Sequence, residues 1–196
     1  MTNHELPEGI SSSRRVAITA NMAALALIGN YALVFLPNME LGTSIIFITA
    51  FVFDLGMAIA CVMIMSVIFG MVNPWGGFIP QIWLAQVFGW LFVALIGSLM
   101  AKGEEIVSYD IYFPLKMGFI GGVVTLFFDL STNLGYSLAF GIPFGVAIIT
   151  GFSWSLIHIA SNILIFSQVV PTLETVLKNH FRYEIWSSDK HVYSEE

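Results

Sequence analysis

Asp129 and Asn133 stand four residues apart in a long apolar stretch, so on a helix their side chains leave the same face. A later stretch carries Trp154, His158 and Asn162, again at four-residue steps, which makes one aromatic and polar stripe on a lipid-compatible helix. Carboxylate and imidazole can carry protons or hydrogen-bond a ligand, and an indole ring can stack on a flat one. Polar groups inside a membrane are costly, about 2.5–3.5 kcal/mol for a central Asp on insertion scales, so such a stripe should face a bundle interior or a cavity. For Trp154 and His158 two roles stand open, ligand contact and hydrogen bonding between helices, whereas Asn162 suits the structural role. His158 and Asp129 could form a dyad. No paired His–Glu metal motif, Gly-x-Ser-x-Gly elbow or phosphate loop accompanies them, so no catalytic residue, metal or cofactor is assigned.

A second polar group consists of Asn73, Trp75, Gln81, Trp83 and Gln86, with Gln81 and Gln86 on different helix faces. Tryptophans at a membrane boundary suit an interfacial belt, but a belt needs no amides, so Asn73, Trp75 and Gln81 join the candidate binding residues. Glu40, in a short loop nearby, is an exposed acid and a further candidate. Asp54 precedes Leu55-Gly56, where a carboxylate can cap the start of a helix. Ala17, Ala20 and Ala24 form a small-residue stripe, which lets another backbone approach closely, either a helix of the same chain or one of a separate subunit. Cys61 is the only cysteine, so neither an internal disulfide nor a multi-cysteine metal site is available.

The elements that must position these groups are membrane helices. Hydrophobic residues make up 57% of the chain and charged residues 10%, too little polar surface to coat a water-soluble domain. The longest apolar tract, Gly42 to Val72, would be about 45 Å as one helix, well beyond a ~30 Å hydrocarbon core. Splitting it at Asp54-Leu55-Gly56 gives six spans instead of five, with short second and third helices whose ends tilt, thin the bilayer or bury in the bundle. With six spans and the N-terminus inside, Arg14, Arg15, Lys102, Lys116, Lys178, Arg182 and Lys190 all fall on the cytoplasmic side, as the positive-inside bias requires. The expected fold is therefore an all-α, integral membrane six-helix bundle with both termini cytoplasmic. Residues 1–15 form a cytoplasmic tail, 16–170 the six-helix domain, with its last helix reaching about Val169, and 171–196 a polar cytoplasmic segment with a short amphipathic helix over Leu173 to Phe181. In this frame Asp129 and Asn133 lie in the outer half of the bilayer, Trp154 near the midplane, and His158 deeper toward the cytoplasm. No basic stripe exists to bind nucleic acid.

Six short helices in fewer than 200 residues, a basic pair before an alanine-striped first helix and a Gly-interrupted second and third helix resemble the substrate-binding S components of energy-coupling factor (ECF) transporters. The similarity runs from Arg14 to about Lys178. Arg14-Arg15-Val16-Ala17-Ile18-Thr19-Ala20-Asn21-Met22-Ala23-Ala24-Leu25 is similar to the family's opening, whose Ala-x-x-x-Ala falls on Ala20 and Ala24. The resemblance implies that the face of Ala17, Ala20 and Ala24 meets a transmembrane coupling subunit, that two cytoplasmic ATPases supply energy, and that the chain is a multi-pass protein of the plasma membrane. It also implies a vitamin or related micronutrient held near the outer face, under the loop between helices one and two.

The resemblance gives no substrate signature over Asn73 to Trp83, so the substrate is read from the residues. No Lys or Arg lies in the outer half of the membrane, so a phosphate would lack a counter-charge. Trp, Asn and Gln suit a flat, uncharged or weakly cationic nitrogen heterocycle, riboflavin-like rather than biotin-like. Two other classes stay open: a stand-alone ion-coupled permease in which Asp129 or His158 carries a proton, and an intramembrane enzyme using His158. The lack of an inverted repeat weighs against the permease.

Overall fold

The structure is a computed structural model that describes residues 10–74, 76–101 and 111–185, excepting the side chains of 182–185. Trp75 and the expected cytoplasmic loop from Lys102 to Asp110 lie outside the described residues. The described residues form six helices: α1 (Ser12–Ala32), α2 (Gly42–Val52), α3 (Leu55–Met71), α4 (Pro80–Ala101), α5 (Phe113–Phe140) and α6 (Phe144–Ile185). No strand occurs among the described residues.

The long apolar tract breaks where the acid stands. Asp54 is extended at φ −167° and ψ 168°, and its carboxylate accepts the Met57 N–H at 2.9 Å, capping α3. The other carboxylate oxygen pairs with Arg15 of α1 at 2.5 Å. α5 ends at Gly141, whose φ of +65° is open to glycine at little cost, and the chain turns through Pro143 into α6. α6 does not stop near Val169. It runs 42 residues, roughly 63 Å, with Pro171 inside it, and takes in the segment expected as a separate amphipathic helix.

Every residue of α2 is buried, and α2 packs against α1, α3, α4 and α6, so this 11-residue helix is the axis of the bundle. Its shortness follows: a helix surrounded by protein need not reach both membrane surfaces. Phe47, Ile46 and Ile48 of α2 meet Met65 of α3, Val93 of α4 and Phe166 of α6 in one core. The most extensive helix contact is between antiparallel α5 and α6. Gly121 makes it close, because a Cβ there would stand 2.6 Å from the Phe166 ring.

The surface is inverted relative to a water-soluble protein. Leu84, Phe88, Phe119, Leu138, Ile149 and Leu164 are exposed, while Asn30, Thr125, Asp129, His158 and Asn162 are buried. Among the described residues three helices, Pro80–Ala101, Phe113–Phe140 and Phe144–Phe181, are long and apolar enough to cross a membrane, at mean hydropathies of 1.9, 1.5 and 1.6. α2 and α3 are shorter, and α1 carries Arg15, Asn21 and Asn30, which lower its hydropathy.

The two ends of the bundle differ. At one, Arg15 pairs with Asp54, the Arg14 guanidinium lies 5.7 Å from the centre of the Phe181 ring, and Lys178 pairs with Glu174. At the other, Tyr31 donates to the Val72 carbonyl at 2.8 Å and Asn38 donates to the Trp154 carbonyl at 2.9 Å. These bonds bring the end of α1 to the end of α3, and the α1–α2 loop onto α6.

Candidate functional site

At the second end the α1–α2 loop crosses the mouth of the bundle and carries Glu40 inward. Glu40 Oε2 accepts the Thr43 N–H at 2.8 Å, so this carboxylate satisfies an amide in the first turn of α2. The same turn presents Thr43, whose hydroxyl accepts the Trp90 indole N–H at 3.3 Å. Across the opening, α5 and α6 supply Asp129 and His158. Asp129 Oδ1 lies 2.7 Å from His158 Nδ1, and because a carboxylate accepts, the proton sits on Nδ1. His158 Nε2 then faces Glu40 Oε1 at 3.7 Å.

The pairing follows from helix register. α5 and α6 run antiparallel, and at successive turns Gly121 meets Phe166, Asp129 meets His158, and Asn133 meets Gly151. His158 therefore stands level with Asp129 and with the α1–α2 loop. The expectation that it lies deeper than Asp129 is corrected by this register, which the sequence of either helix alone does not contain.

Burial works against the charged form of Glu40. The neighbouring His158 and the Thr43 amide outweigh it and hold the pKa below the ordinary carboxylate value. Glu40 Oε1, Asp129 Oδ2 and His158 Nε2 make no hydrogen bond to described protein atoms. Side chains of Asp129 and His158 are 9% and 7% exposed, too little for bulk water to serve these atoms freely.

Two adjoining cavities open from this trio and a third lies beyond them, and Asn38 and Gln86 line all three. The innermost, about 150 Å³, includes Asn30, Glu40, Thr43, Trp90, Phe128 and His158. Phe128 meets Trp90 at 5.3 Å and His158 at 5.8 Å between ring centres, giving the trio an aromatic wall. Gly89 lets Phe128 reach that position, because a Cβ there would be 2.5 Å from the ring. A second cavity of about 280 Å³ is lined by Asp129, Asn133, Trp154 and His158, and a third of about 510 Å³ by Asn73, Trp83 and Tyr136. No described Lys or Arg lines any of them. The described basic residues sit at the far end; Lys116, in the first turn of α5, is about 20 Å along the helix from Asp129.

Of the residues singled out from sequence, Glu40, Asp129 and His158 come together directly. Asn133 and Trp154 line the cavity beside them, but the Asn133 amide donates to its own helix at the Asp129 carbonyl, 2.8 Å, and Trp154 is half exposed. Asn73 borders the widest cavity. Gln81 is exposed and lines none of the three; Gln86, on another face of α4, takes that place. Trp83 donates to the Ser66 carbonyl at 3.0 Å and so ties α4 to α3. Asn162 is fully buried, yet its amide bonds to no described protein atom, and the interhelical hydrogen bond expected of it is not formed. Asn30, Asn38, Trp90 and Phe128 were not among the sequence candidates. Asn30 carried the one usable signal, an amide within an apolar helix, and it is buried, with its Nδ2 donating to Met65 Sδ at 3.2 Å.

Ala17, Ala20 and Ala24 are all exposed, so the stripe does not pack inside this chain. Ile18, Met22, Ala23 and Ala26 face the bundle instead. Among the described residues no group of three or more His, Cys, Asp or Glu is arranged to hold a metal ion. Comparison with family models finds no match to the chain, and neither does comparison with curated proteins or with solved structures.

Proposed function

We propose that this chain is the membrane-embedded, substrate-binding subunit of an ECF-type, ATP-driven importer of the plasma membrane. It captures a vitamin or related micronutrient, a small nitrogen heterocycle, in the cavities around Glu40, Asp129 and His158. The observation that carries this reading is the buried polar trio under the α1–α2 loop, with atoms left unbonded and an aromatic wall beside them, inside a bundle whose outside is apolar. That loop is where the resemblance expects the substrate. The exposed alanine stripe on α1 supports a second membrane subunit, since small residues on a helix surface admit close approach of another helix. The gathering of described basic side chains at the end opposite the cavities supports cytoplasmic termini and an outward-facing site. In this reading the chain binds and delivers, and catalysis belongs to the ATPases.

A stand-alone permease is the second reading, favoured by one observation: a buried His–Asp pair beside a second carboxylate is chemistry that can carry a proton. The test is uptake in vesicles holding this chain with a coupling subunit and two ATPases. The importer reading expects uptake that needs ATP hydrolysis and survives collapse of the proton gradient. Uptake by the chain alone, driven by a proton gradient, would establish the permease.

A further inference from the structure

We infer that the ligand of the innermost cavity is an organic nitrogen cation, an ammonium or amidinium group on a small flat ring, held by Glu40, with Asp129 lining the adjoining cavity on the other side of His158. The inference rests on the reading of that cavity as a substrate site and narrows the substrate from any nitrogen heterocycle to a charged one.

The argument is an inventory of donors and acceptors. His158 gives its Nδ1 proton to Asp129 Oδ1, and its Nε2 stands 3.7 Å from Glu40 Oε1, beyond hydrogen-bonding distance. Glu40 Oε1 and Asp129 Oδ2 are acceptors only, and neither is bonded within the described protein. Asn30 lines the innermost cavity beside Glu40, is 8% exposed, and leaves its Oδ1 unbonded while its Nδ2 is used on Met65. The unbonded oxygens along these two adjoining cavities thus ask for N–H donors. Two carboxylates stand against one imidazole here, so acidic groups outnumber basic ones. No described Lys or Arg lines the cavities to redress that excess. Unpaired buried charge is expensive, and a cationic ligand removes that cost on binding, whereas a neutral ligand does not. Trp90 and Phe128 add π faces that attract a flat cation further. An anion meets like charge, and a phosphate finds no basic partner.

Three ligands of one shape test this: benzamidine, a cation at neutral pH, benzamide, which is neutral, and benzoate, an anion. Calorimetric titration of the purified full chain in detergent should find benzamidine binding roughly 10- to 100-fold tighter than benzamide, the worth of hydrogen bonds to charged groups, and benzoate not binding. Glu40→Gln and Asp129→Asn should each shrink the benzamidine-over-benzamide ratio by about 5-fold or more. If the Asp129 variant fails to fold, the Glu40 variant still decides. Equal binding of benzamide, tighter binding of benzoate, or a ratio that Glu40→Gln leaves unchanged overturns the cation while leaving a small-molecule site in place. Binding of none of the three at millimolar concentration also overturns the cation. The importer reading would then stand or fall on ATP-dependent uptake alone.

Discussion

His158 on α6 and Asp129 on α5 meet through a 2.7 Å Nδ1–Oδ1 hydrogen bond, 29 residues apart in sequence and within the most extensive helix contact of the bundle. The bond orients the imidazole so that its other nitrogen looks across at Glu40, on a loop that belongs to a different part of the chain. One interhelical bond therefore links packing of the α5–α6 pair to the shape of the cavity.

Removing only one partner of this pair should be worse than removing both. His158→Leu leaves the Asp129 carboxylate buried without its donor, and breaking a buried pair this way costs about 3–5 kcal/mol. Adding Asp129→Leu restores apolar packing and should recover at least half of that loss. Thermal unfolding in detergent of the two single variants and the double variant measures it. Additive losses would mean that the bond does little for the bundle.

Asp54 offers a contrast at the other end. Asp54→Ala loses the α3 cap, worth about 1 kcal/mol, and the pair with Arg15. The paired side chains are 45% and 36% exposed, so the ion pair adds little beyond the cap. The expected result is a modest drop in thermal stability with ligand affinity unchanged.

These two acids illustrate how legible the chain was. Asp54 could be read from sequence because a cap is local: an acid before Leu55-Gly56 inside an overlong apolar tract has one economical place, and the helices divide there. The four-residue steps of Asp129 and Asn133, and of Trp154, His158 and Asn162, likewise place each set on one face. Which residues then meet is a matter of register between helices, set by contacts such as Gly121 on Phe166. For that reason the depth of His158 and the choice between Gln81 and Gln86 were not recoverable. Glu40 enters the site through the path of an irregular loop, and Trp90 and Phe128 were indistinguishable from ordinary apolar residues. α6 runs through Pro171 and past the expected end near Val169, carrying Phe181 onto Phe53, a long-range contact that local sequence does not contain.

Glu40 should make stability depend on pH in a definite direction. Its folded-state pKa lies below its ordinary value of 4.5, so its contribution is fully present above about pH 4.5 and fades as pH falls through the lower folded value. Melting temperatures of the native chain and Glu40→Gln should differ at neutral pH and converge in acid. A difference that grows in acid would reverse the assigned sign.

The α1 stripe predicts a separation of functions. Because Ala20 is exposed, Ala20→Trp should leave folding and ligand binding of the isolated chain intact. It should block co-purification with a coupling subunit and abolish uptake, since a bulky ring prevents close helix approach. Normal transport by this variant would mean that the stripe faces lipid or is dispensable.

The most direct test of the account is equilibrium binding by the purified chain in detergent, with no ion gradient and no ATPase, followed by tryptophan fluorescence across a panel of vitamins and related nitrogen heterocycles. The account predicts saturable binding of a panel member, weakened roughly 10-fold or more by Asp129→Asn and by Glu40→Gln, with both variants folded. Saturable binding that neither substitution alters, or no binding to any member of the panel, would contradict it.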